Sequence, residues 1–295
     1  MIGFEGARAS AAGQYAESDG GKLYRYDVRL PCRSRFRVFV AFARSRDMFE
    51  RANLPKRVLN ATLNLGESYR IKGDFSRARQ FFRAAFEQGI ETQVFGTAAQ
   101  AAANEGDMLI SMANWEQARE RHQKALELAP QEPNQANRLL IQSQSNQGLA
   151  TCALRIDDAS AAWKYAQEAL RLAHEGDQSV MLGAAYRTMG EVLTVLGYTP
   201  EGAKIETPVE TKDDAAATNE SLGDPDLFFQ LSIESFQKLQ AEGEIARTIY
   251  VQGLSLARRG QKVTASRKFQ QATLMFTRLG MRDDANKAAQ AQMNV

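Results

Sequence analysis

The sequence predicts an all-α protein built from repeated pairs of antiparallel helices, and three observations support this prediction. One phrase, F-x-x-[S/A]-x-x-x-F-x-[K/R], occurs as FARSRDMFER at 42–51, FQLSIESFQK at 229–238 and FQQATLMFTR at 269–278. Related segments recur with a period near 40 residues, which is typical of repeat architectures. The chain has only seven prolines, and the alternating pattern of strands is nearly absent.

The repeated phrase predicts the packing face of a helix. Its Phe, small residue and second Phe stand at i, i+3 and i+7, which share one helical face. Weaker copies extend the series, so that the first slot falls at 42, 82, 122, 166, 229 and 269. The steps are 40, 40, 44, 63 and 40 residues, and the fourth therefore contains one repeat plus about 23 further residues. We expect the phrase to build a core and to carry no chemistry.

Another apolar helix precedes each phrase, most clearly in LNLGESYRIKGDFSRARQFFRAAF at 63–86. Leu65, Gly66 and Tyr69 lie on one face of this first helix. Gly73 marks the turn, because glycine tolerates the left-handed backbone that ends many helices. Small residues on the facing side of the second helix let the two helices approach closely.

These positions resemble the tetratricopeptide repeat, or TPR. The resemblance depends on small and aromatic residues at matching places in successive pairs. They are Leu65, Gly66, Tyr69, Gly73, Ala78, Phe82 and Ala85, then Gly106, Trp115, Ala118, Ala125 and Pro130, then Gly253, Leu256, Gly260, Ala265, Phe269 and Ala272. The match spans about 38–280 and is weaker in the third and fourth pairs. It implies a right-handed α-solenoid of about five helix pairs. The longer period resembles arrays of bacterial signalling regulators and kinesin light chains.

Segments of different composition flank and interrupt the array, which is expected at 35–280. Residues 1–34 are expected to be flexible, with one short strand at 22–30. The segment 199–226 carries eight acidic residues and two lysines, which indicates an acidic loop inserted in the fourth pair. Residues 281–295 are expected to form a capping helix and tail.

Bulk properties bear on the partner and on the location of the protein. The net charge of +2 gives no argument for a nucleic-acid partner. The apolar run VFVAFA at 38–43 is far shorter than the roughly 20 residues of a membrane helix, so no membrane insertion is expected. The two cysteines match no metal or redox spacing, which favours a reduced, cytoplasmic setting.

No catalytic constellation is visible in the sequence. His122 occupies a core slot, and His174 lies near a helix end, where it interacts favourably with the helix dipole. The acidic pairs at 157–158 and 283–284 stand at turns and helix starts, where Asp caps backbone N–H groups. No GxSxG, phosphate-binding glycine loop, HExxH or CxxC occurs. We therefore expect no enzymatic activity, no metal and no cofactor.

The TPR resemblance implies that the first helices line a concave groove. Amides recur there in matching slots: Asn60 and Asn64, Gln100 and Asn104, and Gln144. Because an amide offers donors and an acceptor, such a ladder suits the backbone of an extended peptide, although it would also suit an ordinary polar helix face.

Further groove residues are expected in the last two pairs. Arginine and tyrosine are favoured at interfaces, and arginine binds carboxylates well. On this basis Arg187 and Arg247 are expected to hold a carboxylate of the partner. The candidates are Arg187, Glu191, Arg247, Tyr250 and Arg258.

The sequence therefore predicts a non-enzymatic scaffold or adaptor that binds a protein or extended peptide in a regulatory or signalling assembly. No small-molecule substrate is expected. Two alternatives remain open. The segment 22–51, with nine Lys or Arg and three acidic residues, would suit a nucleic-acid-associated regulator. The chain would also suit a detached sensor domain of a larger regulator.

Overall fold

The structure, a computed structural model, describes residues 32–197 and 223–295. The predicted strand at 22–30 and residues 198–222 of the predicted acidic loop lie outside these ranges. Within them the chain forms twelve α-helices, a 3-10 turn at Ala129–Gln131, and no strand.

The helices follow one another with short connections, apart from the long one after α8. In chain order they are α1 Cys32–Arg51, α2 Pro55–Ile71, α3 Phe75–Glu91, α4 Phe95–Ser111, α5 Trp115–Leu128, α6 Gln135–Arg155, α7 Ala159–Gly176, α8 Ser179–Leu196, α9 Pro225–Lys238, α10 Glu242–Arg258, α11 Lys262–Arg278 and α12 Arg282–Met293.

The helices form two layers. Each helix packs against its neighbours in the chain, and α2, α4, α6, α8 and α10 also contact one another in that order. These even-numbered helices are the inner layer, and α3, α5, α7, α9 and α11 form the outer layer. The predicted fold class is confirmed: the chain is an all-α, right-handed solenoid of antiparallel helix pairs.

The turns repeat as regularly as the helices. Residues with positive φ stand 20 apart at 53, 73, 93 and 113, again at 157, 177 and 197, and again at 240, 260 and 280. A helix and its turn therefore make one 20-residue unit, and two units make the 40-residue period. The series is interrupted at the 3-10 turn and at the long connection between α8 and α9.

The two layers are joined where a glycine of an inner helix meets an aromatic ring of an outer helix. A Cβ on Gly66 would lie 2.6 Å from Phe82, and one on Gly253 would lie 2.7 Å from Phe269. Both rings are fully buried. Only glycine permits this approach, so the repeated phrase packs the inner and outer layers together.

Part of the predicted acidic loop belongs to a helix, which corrects the expected boundary at residue 226. Asp224 is the N-cap of α9, where its side chain accepts from the backbone N–H of Asp226. Asp226 in turn accepts from Gln252 at 2.9 Å and from Arg259 at 2.8 Å. An N-cap and two cross-helix contacts stabilise the first turn of α9, so these residues do not continue the loop.

The two ends of the array approach each other. Helix α12 buries Ala285 and Ala288 in the core it shares with α10 and α11. At its first turn, Asp283 Oδ2 lies 3.4 Å from the position that a Cβ would take on Gly73, between α2 and α3. None of the described helices is long and apolar enough to span a membrane.

A buried carboxylate connects three consecutive helices. Glu105 of α4 is 1% exposed and accepts from Arg79 and Arg83 of α3 at 3.2 and 3.4 Å. Its other oxygen accepts from Nε of Arg121 of α5 at 2.6 Å. Charge-assisted hydrogen bonds from three guanidinium groups offset the cost of burying this charge.

We predict that Ala113→Gly stabilises the protein, because Ala113 holds a φ of +57° that glycine adopts without strain. The free energy of unfolding should rise by about 0.5–1 kcal/mol, measured by chemical denaturation followed by circular dichroism. Gly260→Ala is the matched control, since φ is +77° there and nothing lies within 4 Å of an added Cβ. It should destabilise by a similar amount, and equal stabilities of all three proteins would refute the strain argument.

We also predict that Glu105→Gln lowers the free energy of unfolding by about 1–3 kcal/mol, since charge-assisted hydrogen bonds are replaced by weaker ones. The loss stays moderate because the partner arginines are partly exposed and can be rehydrated. Glu120→Gln, on the exposed face of α5, is the control and should change little. If Glu105→Gln left the free energy of unfolding unchanged, the three ion pairs would not stabilise the array.

Candidate functional site

The inner layer encloses one continuous cleft with a cavity volume of about 620 Å³. It extends from Phe42 of α1 and Asn64 of α2 to Tyr250 of α10 and Lys287 of α12. Every inner helix contributes to the lining, and the volume lies in the range typical of ligand sites. Phe42, in the first copy of the repeated phrase, lines this cleft and is half-buried, in contrast with the buried Phe82.

Most of the predicted groove residues line the cleft. They are Asn64, Gln100, Asn104, Gln144, Arg187, Glu191, Arg247 and Tyr250. Two predicted residues are not brought to it. Asn60 lies one turn before Asn64 and accepts a hydrogen bond from Thr97 at 3.2 Å, between α2 and α4. Arg258 is exposed at the last residue of α10, about 16 Å beyond Arg247 along the helix and past the end of the cleft.

The amides of α4 and α6 form a connected network. Gln100 Nε2 donates to Asn104 Oδ1 at 2.8 Å and to Gln144 Oε1 at 2.9 Å. Gln144 Nε2 donates to Asn104 Oδ1 at 3.1 Å and to Asp107 Oδ2 at 2.7 Å. Each side chain thereby orients the next, so the ladder is a cooperative network rather than a row of independent groups.

Some donors and acceptors of the cleft amides remain unused. Within the described ranges, the side-chain amide of Asn64 forms no hydrogen bond, Asn104 uses only its oxygen, and Gln100 uses only its nitrogen. Free donors therefore remain at Asn64 and Asn104, and free acceptors at Asn64 and Gln100. An extended peptide backbone requires both kinds of group.

At the other end of the cleft, two predicted arginines share one internal carboxylate. Arg187 Nη1 lies 2.9 Å from Glu244 Oε2, and Arg247 Nη1 lies 2.5 Å from Glu244 Oε1. Arg247 also lies 3.8 Å from Asp284. This corrects the expectation that both arginines are available to a partner, because the carboxylate that they hold belongs to the chain itself.

Sequence reasoning missed a cation–π pair that lines the cleft. The guanidinium carbon of Arg155, the last residue of α6, lies 5.2 Å from the ring centroid of Trp115, the first residue of α5. Both residues line the cleft. A signal was present, because Arg155 stands 11 residues after Gln144 and hence about three turns along the same helical face.

A buried histidine lies directly beneath the cleft floor. His122 is fully buried, and among the described residues neither ring nitrogen has a hydrogen-bond partner. Its Nε2 lies 3.6 Å from Asp107 Oδ1. A Cβ on Gly106 or Gly148 would lie 2.6 or 2.1 Å from this nitrogen. Burial lowers the pKa of His122, although the Asp107 carboxylate raises it, so the ring is neutral near pH 7.

Two further ionisable groups respond to the cleft environment. Burial raises the pKa of Glu191, although Arg187 and Arg155 lower it. Burial and the Asp284 charge raise the pKa of Tyr250, which Arg155 lowers. Glu191 and Tyr250 therefore both lie within the electrostatic reach of Arg155.

The remaining candidate groups have structural roles. His174 stands in the last turn of α7 and contacts the Tyr186 hydroxyl at 3.3 Å. Asp158 caps α7 by accepting from the backbone of Ala161. Burial raises the pKa of the Cys152 thiol to about 11, which disfavours the reactive thiolate. No group of three His, Cys, Asp or Glu suited to a metal occurs in the described residues.

The fold is shared with solved structures. The apo form of RapI matches with a TM-score of 0.61 at 10% identity, over 96% of this chain and 91% of that one. A Rap protein complexed with Competence and Sporulation Factor matches with a TM-score of 0.56 at 13% identity, over 97% and 78%. BtubC (BKLC) from P. vanneervenii matches with a TM-score of 0.52 at 14% identity, over 83% and 92%.

At these identities the similarity shows the fold alone. The chain has a TPR-like helical repeat fold. No protein-family model and no curated protein matches the sequence.

We predict that His122 makes stability depend on pH. Because its pKa is lowered in the folded state, the unfolded state binds more protons below the ordinary value of about 6.5, and stability falls as pH decreases. The free energy of unfolding should be measured from pH 8 to 5 for the wild type and for His122→Leu. The free energy of unfolding of the wild type minus that of the variant should be constant above about pH 7 and decrease below it, by at most about 1.4 kcal/mol per pH unit. If the free energies of unfolding of the two proteins changed in parallel over the whole pH range, the lowered pKa of His122 would be contradicted.

Proposed function

We propose that this protein is a non-enzymatic scaffold or adaptor that holds an extended peptide, or an extended segment of a partner protein, in its cleft. The observation that supports this most strongly is the amide network of α4 and α6, with its unused donors and acceptors facing the cleft. We further propose that the chain is a divergent TPR array acting in a regulatory or signalling assembly.

The spacing of the inner helices supports an extended ligand. Packed helices lie about 8–10 Å apart, and an extended chain rises about 3.3 Å per residue. Each inner helix would therefore meet about every third residue of the ligand. Because the amides bind backbone groups, they would hold many sequences in the same extended form.

The fold neighbours agree with this proposal in a limited way. One of them is a Rap protein complexed with Competence and Sporulation Factor, so this type of solenoid is known with a bound factor. The alternative of a nucleic-acid-associated regulator gains no support from the structure, because much of the segment 22–51 lies outside the described residues.

We predict that Asn64→Ala combined with Asn104→Ala weakens peptide binding about tenfold or more, since two cleft-facing amides are lost. The measurement is fluorescence polarisation of a labelled pool of random-sequence decapeptides. Gln123→Ala combined with Gln270→Ala is the matched control, because both amides are exposed on outer helices. This control should bind as the wild type does.

Three results would count against the proposal. Equal binding by both double variants would show that the amides are ordinary helix surface. Absence of peptide binding by the wild type would overturn the scaffold proposal. Binding of labelled DNA or RNA with a steep salt dependence would favour the nucleic-acid alternative instead.

A further inference from the structure

The charges that line the cleft are not evenly compensated. The lining contains six basic and four acidic side chains. They are Arg70, Lys72, Arg155, Arg187, Arg247 and Lys287, and Glu67, Asp107, Glu191 and Glu244. This excess of positive charge favours a ligand with an anionic group.

Three of the four arginines that line the cleft form ion pairs with carboxylates of the chain itself. Arg70 pairs with Glu67 at 2.6 Å, and Arg187 and Arg247 share Glu244. Arg155 differs from them, because no carboxylate of the described residues lies within ion-pair distance of its guanidinium. Its charge therefore remains available to a ligand.

Trp115 gives Arg155 a defined position. The guanidinium carbon lies over the indole ring, 5.2 Å from its centroid, which is a cation–π contact. The N–H donors of this guanidinium form no hydrogen bond or ion pair with the described residues, and their fork geometry matches a planar, bidentate acceptor. Such an acceptor is a carboxylate.

Two further ionisable groups line the same cleft. Tyr250 lies within the electrostatic reach of Arg155. The Glu191 carboxylate lies within the same reach, forms no ion pair with the described residues, and is disfavoured as an anion by its burial. An incoming carboxylate would replace it as the counter-charge of Arg155.

We propose that Arg155, held over the ring of Trp115, is a carboxylate-binding subsite, so that the cleft selects an acidic peptide. This rests on the proposed function of the cleft as a peptide site. The amides of α4 and α6 bind the ligand backbone, and Arg155 fixes its register by binding one anionic group. That group is either an Asp or Glu side chain or the C-terminal carboxylate of the peptide.

Four pools of labelled decapeptides distinguish these sources. All share neutral random positions, and they combine a central Asp or Asn with a free or amidated C-terminus. Binding is measured by fluorescence polarisation. We expect at least one carboxylate-bearing pool to bind about ten- to a hundredfold more tightly than the neutral Asn, amidated pool. Preference for the Asp pools identifies a side chain, and preference for the free-terminus pools identifies the C-terminus.

Variants test whether Arg155 is responsible. Arg155→Gln should remove the preference for carboxylates, so that all four pools bind about equally. Arg155→Lys should restore the preference only in part, because lysine lacks the planar fork. Glu191→Gln should strengthen binding of acidic pools, because a competing carboxylate is removed. The control Arg258→Gln changes an exposed arginine outside the cleft and should have no effect.

Tryptophan fluorescence gives a second, independent measurement. The chain has two tryptophans, and Trp163 is buried in the core around α7 and α8. Trp115 therefore reports on the cleft, and its emission should change when the acidic pools bind to the wild type. An unchanged spectrum on saturation with an acidic pool would place the carboxylate elsewhere.

The outcomes separate this inference from the proposed function. If all four pools bind equally and Arg155→Gln has no effect, while Asn64→Ala combined with Asn104→Ala weakens every pool, the carboxylate subsite is refuted and the peptide cleft stands. If none of the pools binds, both proposals fail.

Discussion

The structure depends on one steric constraint: a glycine of each well-matched inner helix must lie against the ring of an outer helix. At Gly66 and Phe82, and at Gly253 and Phe269, the approach is too close for any Cβ. This contact sets the distance between the layers and places the core on one face of each inner helix. The opposite face is thereby released from packing and becomes the lining of the cleft.

The second helix pair, α4 and α5, shows how this packing constraint affects the cleft. Here Gly106 of α4 lies against His122 of α5, which takes the position that an aromatic ring has in the better-matched pairs. Both ring nitrogens of His122 are buried and have no hydrogen-bond partner among the described residues. An unsatisfied polar group in a core is costly, and the nearest compensation is Asp107, 3.6 Å away. Because Asp107 also accepts from Gln144, the core of this pair and the amide network are electrostatically connected.

Much of the fold was predictable because its determinants are local. The Gly and Phe slots recur at a fixed period, and the TPR resemblance together with helical phase places Asn64 and Asn104 in the cleft. The ion pairs were not predictable in this way. Glu244 meets Arg187 from 57 residues away, and that proximity depends on the angle between successive pairs. The same limitation misplaced Arg258, since phase gives the face of a helix but not the point at which the cleft ends.

The fourth helix pair, α8 and α9, shows that the contact between a glycine and a ring defines the repeat, whatever the length of the connection between the two helices. Gly190 and Phe229 are 39 residues apart in sequence, yet a Cβ on Gly190 would lie 2.9 Å from the ring, nearly as close as in pairs joined by a short turn. The entropy cost of a longer loop grows slowly with length. The first turn of α9 is anchored to the fifth pair, because Asp226 accepts hydrogen bonds from Gln252 and Arg259. The fifth pair can therefore stack in register, and the cleft continues past the insertion without a break.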